Sequence, residues 1–329
     1  MSVPLSILDL ALIGKGETAR TSLNGSVALA QEAERSGYRR VWYAEHHNMA
    51  AVASSATSVL IAHVAAHTDH IRLGAGGIML PNHAPLTIAE QFGTLEILHP
   101  GRIDLGVGRA PGSDQATSRA LRRDPRAADT FPQDVQELQG YLGDESHVPG
   151  VDAVPGKGTH VPIYILGSSL YGATLAAALG LPYGFASHFA PAALEEAVAI
   201  YRRDFRPSEQ LDQPWVIAGA NVVAADTEAE AEANHRVVKR GRVSLFFGRG
   251  RSFTDDEADA ILASPEARPL QEMMRYTAVG TMTQVADYLD AFAQHADADE
   301  LMLAHQAPTL ASRLRSIRLV AQGRGLVPA

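Results

Sequence analysis

Eight short apolar segments punctuate the chain, each followed by a longer stretch of different character: LSILDLAL from residue 5, RVWYAE from 40, IRLGAGG from 71, RIDLGVG from 102, PIYILG from 162, YGFAS from 183, WVIAGANVVAA from 215 and ELMLAH from 300. Apolar runs of this length suit strands buried on both faces, as in a parallel sheet, and parallel pairing demands a long crossover between strands. Helical periodicity supplies those crossovers. Val285, Tyr288, Leu289 and Phe292 form an i, i+3, i+4, i+7 stripe that predicts a helix over 282–295, and Leu194, Val198, Tyr201 and Phe205 form another. Val135, Leu138 and Leu142 give a weaker third stripe. Eight strand–helix repeats predict an α/β fold closed into a (β/α)8 barrel, which takes about 250 residues. With 329 residues, the chain is read as one such domain over 1–329, with insertions in the βα loops. The insertions fall at 109–132 and 242–275, where periodicity is weak, and in a barrel these segments belong to the catalytic face, where lids are built.

A doubly wound sheet is the competing architecture, but its dinucleotide fingerprint is missing. GVGRAPG at 106–112 begins like G-x-G-x-x-G, yet Pro111 stands where the third glycine belongs. GKGET at 14–18 lacks the upstream glycine and the hydroxyl residue after lysine that a phosphate-binding P-loop requires.

Composition narrows the chemistry. The net charge of -9 opposes binding to nucleic acid, where affinity depends on neutralising phosphates, and to anionic membranes. No apolar run approaches the ~20 residues that span a bilayer, and no secretory n-region and h-region open the sequence, so a cytoplasmic protein is expected. There is no cysteine, which removes thiolate nucleophiles, cysteine-ligated zinc and iron–sulfur clusters. Histidines, carboxylates, arginines or a cofactor must do the work.

Three stretches carry suitable residues. In YAEHHNMA at 43–50, Glu45, His46 and His47 directly follow a strand, at the end that faces the mouth of a barrel. Adjacent histidines on an extended segment point to opposite sides, and the H-x-H spacing of barrel metallohydrolases is absent, so a metal site is disfavoured. One working histidine, its tautomer fixed by the neighbouring glutamate, is the functional reading, and a packing or capping histidine is the plain one. In IRLGAGGIMLPNHAP at 71–85, Gly74, Gly76 and Gly77 indicate either a bulge approached by a flat ligand or an irregular strand end. In YILGSSLYGATLAAALGLP at 164–182, Ser168 and Ser169 open a helix as either a phosphate cradle or an ordinary N-cap. Arg109, just past a neighbouring strand, would face the same cradle as a phosphate clamp.

In order and spacing, RRVWYAEHH, LGAGGIMLPNHAPL, RIDLGVGRAPG, IYILGSS, GLPYGFASHF and VGTMTQVADYLDAF together resemble the bacterial luciferase-like flavin monooxygenases over nearly the whole chain, closest to their single-gene oxidoreductase branch. The resemblance implies a barrel that uses reduced FMN and O2, through a C4a-hydroperoxyflavin, to oxygenate a small organic substrate. It implies that Glu45 and His46 are the catalytic pair, with His46 as the acid/base; His47, pointing the other way, is expected to pack or to contact a neighbouring subunit. Gly76 and Gly77 would form the flavin-supporting bulge, and Arg109, Ser168 and Ser169 would hold the phosphate, with Arg119 as a second phosphate arginine. Ser168 and Gly172 depart from the Glu and Thr of the light-emitting members, which shifts phosphate binding towards Arg109 and backbone amides. His83 and His188 lie on segments expected to face the pocket, where each either touches substrate or makes structural hydrogen bonds. A separate NAD(P)H:flavin reductase and a homodimer are the partners that the resemblance implies. An F420-dependent oxidoreductase is the nearest alternative, because the same barrel holds that deazaflavin; a non-catalytic flavin-binding protein and a metal-dependent hydrolase are more distant ones.

Overall fold

The computed structural model describes residues 3–14, 16–110, 114–248, 251 and 253–328. Every segment expected as a strand is one: β1 (Leu5–Asp9), β2 (Arg40–Tyr43), β3 (Arg72–Met79), β4 (Ile103–Gly108), β5 (Ile163–Gly167), β6 (Tyr183–Phe185) and β7 (Val216–Ala224), with ELMLAH forming β9 (Glu300–His305). An unexpected strand, β8 (Thr277–Gly280), precedes it. All pairings among these strands are parallel. The ladder runs β6-β5-β4-β3-β2-β1-β9-β7, and β6 pairs with β7 to close it. The result is an eight-stranded (β/α)8 barrel.

The additional strand, β8, does not enter the barrel. β7 is nine residues long; Val216, Ile217 and Ala218 pair with β6, while Asn221–Ala224 run further and pair with β8. A strand of four residues, TAVG, gives little periodicity of its own, and it exists because β7 overshoots the barrel rim.

Helices connect the strands: α1 (Ala19–Arg35), α2 (Thr57–Ala65), α3 (Pro85–Leu98), α4 (Gln115–Ala120), α5 (Phe131–Leu142), α6 (Leu170–Leu179) and α7 (Leu194–Asp204) lie between β1 and β7. α8 (Glu228–Phe247), α9 (Asp255–Leu262) and α10 (Arg268–Met273) separate β7 from β8, and α11 (Met282–His295) and α12 (Leu310–Gly323) complete the ring. α11 occupies the predicted span and buries Val285, Leu289 and Phe292. α7 stops one residue before Phe205, which becomes its C-cap. The two insertions are more helical than their periodicity indicates. The first holds α4 and a 3-10 turn at Pro125–Ala128, and the second packs the end of α8, α9 and α10 around Val243, Ala258 and Leu270. Residues 111–113, 249, 250 and 252 of these insertions lie outside the described residues.

Strand side chains alternate between two environments. The larger core lies between sheet and helices and takes Ile7, Val41, Leu73, Leu105 and Val222. Leu8, Trp42, Tyr164, Ile217 and Met302 form a separate inner cluster. At the N-terminal end of the barrel this inner layer is charged. Arg40, 1% exposed, donates to Asp104 at 2.8 Å and to the Tyr164 hydroxyl at 2.7 Å, and its Nε lies 2.9 Å from Glu300. Asp104 also accepts from Trp42 Nε1 at 3.0 Å and from Arg72 Nε at 3.1 Å, and Glu300 accepts from Trp215 Nε1 at 3.2 Å. Burial works against the Arg40 charge, but Asp104 and Glu300 outweigh it and raise its pKa. No helix among the described residues is long and apolar enough to cross a membrane.

Candidate active site

A cavity of about 860 Å3 opens at the other end of the barrel, and each of its eight strands or strand ends reaches it. Leu8, Trp42, Ile217 and Met302 of the inner cluster form an apolar part of its lining. Barrel geometry dictates this placement, since the C-terminal ends of parallel strands converge on one face.

At the end of β3 the wall is backbone. The pairing of β3 with β4 slips between Ala75 and Ile78, and the Gly76–Gly77 peptide within that bulge is cis. A Cβ at Gly76 would stand 2.8 Å from the Trp42 Cβ, and one at Gly77 would stand 2.7 Å from the Gly106 carbonyl oxygen. Only glycine fits either position without displacing a neighbour, so the cavity is left a flat peptide surface here.

Beside the bulge, the chain leaving β2 carries Glu45, His46 and His47. Glu45 and His46 line the cavity. The His46 Nδ1 is buried without a well-formed hydrogen bond. Burial lowers the pKa of this imidazole, against the opposing pull of the Ala44 carbonyl and the Glu45 carboxylate. His46 is therefore neutral near pH 7 and able to accept a proton.

The Glu45 carboxylate makes hydrogen bonds other than the one expected. Its hydrogen bonds do not hold the His46 ring: Oε1 lies 2.6 Å from His47 Nε2 and 2.8 Å from His83 Nε2, while Oε2 accepts from the Met79 N–H at 3.1 Å. His47 thus turns back onto Glu45 rather than outwards, and His83 joins the same carboxylate instead of lining the cavity. The clamp ties the end of β2 to the end of β3. Among the described residues these three side chains are also the one group with donor atoms close enough to hold a metal ion. Their separations are those of hydrogen bonds; ligands of a tetrahedral zinc at about 2.0–2.1 Å would stand about 3.3 Å apart. Sequence spacing gave no sign of the clamp, because His83 lies 38 residues from Glu45.

On the opposite side of the bulge, β5 runs through Gly167 into Ser168 and Ser169. Ser169 is the extended N-cap of α6 and makes no capping hydrogen bond through its side chain. A helix starting with uncapped N–H groups beside two hydroxyls favours an anion. Arg109, which follows β4, lies with its guanidinium carbon 4.2 Å from the centre of the Tyr171 ring, and Arg109, Ser168, Ser169 and Tyr171 all line the cavity. Arg119 does not join them. It is exposed on α4, where its Nε donates to the Gln115 carbonyl of its own helix.

The structure adds groups that residue patterns did not single out. Met49, Ala128 and Phe131 line the cavity, as do Leu245 and Phe246 from the end of α8. Tyr171, Phe189, Leu245 and Phe246 are more than a third exposed there and make an apolar rim. The arrangement as a whole suits a planar ligand with an anionic end: peptide surface and apolar floor for the plane, arginine and helix terminus for the charge.

A family model described as luciferase-like monooxygenase matches residues 3–299. A protein of Escherichia coli (strain K12) named luciferase-like monooxygenase is 45% identical over 321 residues, which cover 97% of this chain and 96% of the relative. Among solved structures, apo-MsnO8 superposes with a TM-score of 0.89 at 35% identity, covering 99% of this chain and 100% of that one. Two remote neighbours share the fold at 17% identity: the oxygenating constituent of 3,6-diketocamphane monooxygenase in complex with FMN (TM-score 0.73, 99% of each chain) and the F420-dependent tetrahydromethanopterin reductase of Methanopyrus kandleri (TM-score 0.70, 98% of each chain). A matching family model over most of the chain and a near-full-length relative at this identity lead to one conclusion: the chain belongs to the luciferase-like monooxygenase family.

Proposed function

We propose that the protein is a flavin-dependent monooxygenase that binds reduced FMN, supplied by a separate NAD(P)H:flavin reductase, and uses O2 to oxygenate a small organic substrate. The observation that carries the reading is the cavity's combination of a glycine-walled bulge, a half-buried histidine whose pKa is lowered and an anion cradle. Bound reduced flavin supplies the electrons that activate O2. The protein's own residues do the rest. Gly76 and Gly77 support the ring plane; Arg109, Ser168 and Ser169 hold the phosphate.

His46 is the acid/base. Its lowered pKa favours the neutral ring at pH 7, so it can take a proton and return it. Glu45 is a positioning residue that works through His47, His83 and the Met79 N–H to fix the glycine bulge against the loop bearing His46. The inner cluster and the aromatic rim exclude water from the reacting centre.

An F420-dependent hydride-transfer enzyme is the second reading, favoured by one observation: an anion cradle and a flat glycine wall fit a deazaflavin as well as they fit FMN. Anaerobic titration of the purified protein with reduced FMN, oxidised FMN and F420, followed by admission of O2, separates the two. Preferential binding of reduced FMN with subsequent O2 uptake is expected. Preference for F420 without O2 uptake would replace the first reading with the second.

A further inference from the structure

Most of the cavity wall cannot hydrogen-bond, and most of its polar groups already have a task in the proposed function. Glu45 is held by His47, His83 and Met79, Arg109 lies over Tyr171 by the anion cradle, and His46 faces the flavin position. His188 does not belong to that set. It lines the cavity from the segment after β6, and the fold fixes it in place. Ser187 Oγ donates to the Gly219 carbonyl at 2.6 Å, Asn221 Nδ2 donates to the His188 carbonyl at 2.8 Å, and Arg242 of α8 donates to Asn221 Oδ1 at 3.2 Å. The segment is stapled to β7 on both sides of the histidine.

The ring is oriented as well. Its Nδ1 is buried with no hydrogen-bond partner and packs against Gly219, where a Cβ would stand 2.3 Å from it. With Nδ1 sealed, Nε2 is the ring nitrogen left for a ligand. Burial lowers the His188 pKa to about 4, assisted by the nearby charge of Arg242, so the imidazole is uncharged at neutral pH.

We propose that His188 is the polar anchor of the substrate pocket, and that the substrate is an uncharged, largely apolar molecule with one heteroatom, such as a carbonyl oxygen, which hydrogen-bonds His188 Nε2. The inference rests on the flavin-oxygenase reading and adds a substrate class to it. A charged substrate would lose its hydration in this cavity without an unoccupied lining partner of opposite sign, because Arg109 is taken by the cofactor phosphate and Glu45 by its histidines, while Arg242 does not line the cavity and is turned to Asn221 Oδ1 behind His188. An apolar body is matched by Leu245, Phe246 and Phe189 at the rim and by Met302 and Ile217 below.

The test compares three probes of similar shape on FMN-loaded protein by equilibrium dialysis: cyclohexanone, methylenecyclohexane and cyclohexanecarboxylate. The two uncharged probes differ in one hydrogen-bond acceptor. The expected result is that both bind, that the carboxylate binds more weakly than the ketone, and that the affinity ratio of ketone to alkene falls about tenfold in His188→Phe, the fold-change of a single lost hydrogen bond. Gly219→Ala displaces the ring without removing it and is expected to produce the same fall, so the test stands even if His188→Phe does not fold. A ratio unchanged in the folded variants, tighter binding of the carboxylate, or no binding of any probe to protein that retains FMN would overturn the anchor. Failure of the parent protein to take up FMN, read in the same dialysis, would instead overturn the flavin reading beneath it.

Discussion

At the N-terminal end of the barrel interior, Arg40 lies among Asp104, Glu300 and Tyr164, and Trp42 and Arg72 complete the hydrogen bonding of Asp104. At the C-terminal end, His46 and His188 each keep a ring nitrogen buried without a partner. Both regions place ionisable groups in a poorly hydrated interior. In the first, charge survives because it is paired, and the Arg40 pKa rises. In the second, charge is suppressed because it is not, and both imidazoles are driven neutral. Paired groups define a fixed structure, whereas groups left unpaired in a cavity are ready for a ligand. Trp42 joins the two regions: its N–H is fixed by Asp104, and its ring lines the cavity.

The largest expected effect comes from breaking the paired end. Asp104→Ala leaves the buried Arg40 guanidinium without its nearest carboxylate and is expected to cost about 3–5 kcal/mol of stability, measured by urea denaturation. A midpoint equal to the parent's would show that the two ends do not differ in what they hold together. Removal of an unpaired group should do the reverse. His46→Ala is expected to lower oxygenation about 10²-fold while melting temperature and FMN affinity stay near the parent's values. If turnover is unchanged, His46 has no part in the chemistry.

A smaller effect tests the cradle between these extremes. Arg109→Ala is expected to weaken FMN binding about tenfold, as loss of one charge-assisted contact would, and to leave riboflavin binding unaltered. Equal losses for both flavins would place Arg109 elsewhere than at the phosphate.

The smallest effect sharpens the contrast through pH. His188 and His46 have folded-state pKa values below the ordinary 6.5, so the unfolded chain binds more protons than the folded one as pH falls beneath that value. Their contribution to stability is therefore present above about pH 6.5 and is lost on acidification, for His188 progressively towards about pH 4. Melting temperature should fall between pH 7 and pH 5, and His188→Phe should flatten that slope. An identical slope in the variant would mean that the upper end is not where acid acts. The acid limb of turnover, which reports protonation of His46, should likewise lie below pH 6.5.

The parts legible in the sequence share a cause. β1 to β7 and β9 were visible because strands buried on both faces are continuous apolar runs, and Gly76, Gly77, His46, Arg109, Ser168 and Ser169 could be placed at the mouth because they follow such runs directly. What was hidden depends on distance in sequence. Arg40, Asp104 and Glu300 lie in three separate apolar segments, and nothing local reveals that the barrel brings them together. The Glu45 clamp needs His83 from beyond β3, so adjacency pointed to a Glu45–His46 hydrogen bond and gave no sign of the one to His83. Arg119 was placed by likeness of motif, and the direction of a short helix decided otherwise. β8 was hidden because it depends on the length of another strand.

The cavity is built from two kinds of material. Its floor and glycine wall come from strands whose other residues form the core, while Ala128, Phe131, Leu245 and Phe246 come from segments outside the barrel ladder. On the proposed function, substitutions in the latter would reshape what is admitted without disturbing the wall assigned to the cofactor. A lineage with this architecture would then diversify its substrates by drift in two insertions while its chemistry stayed inherited.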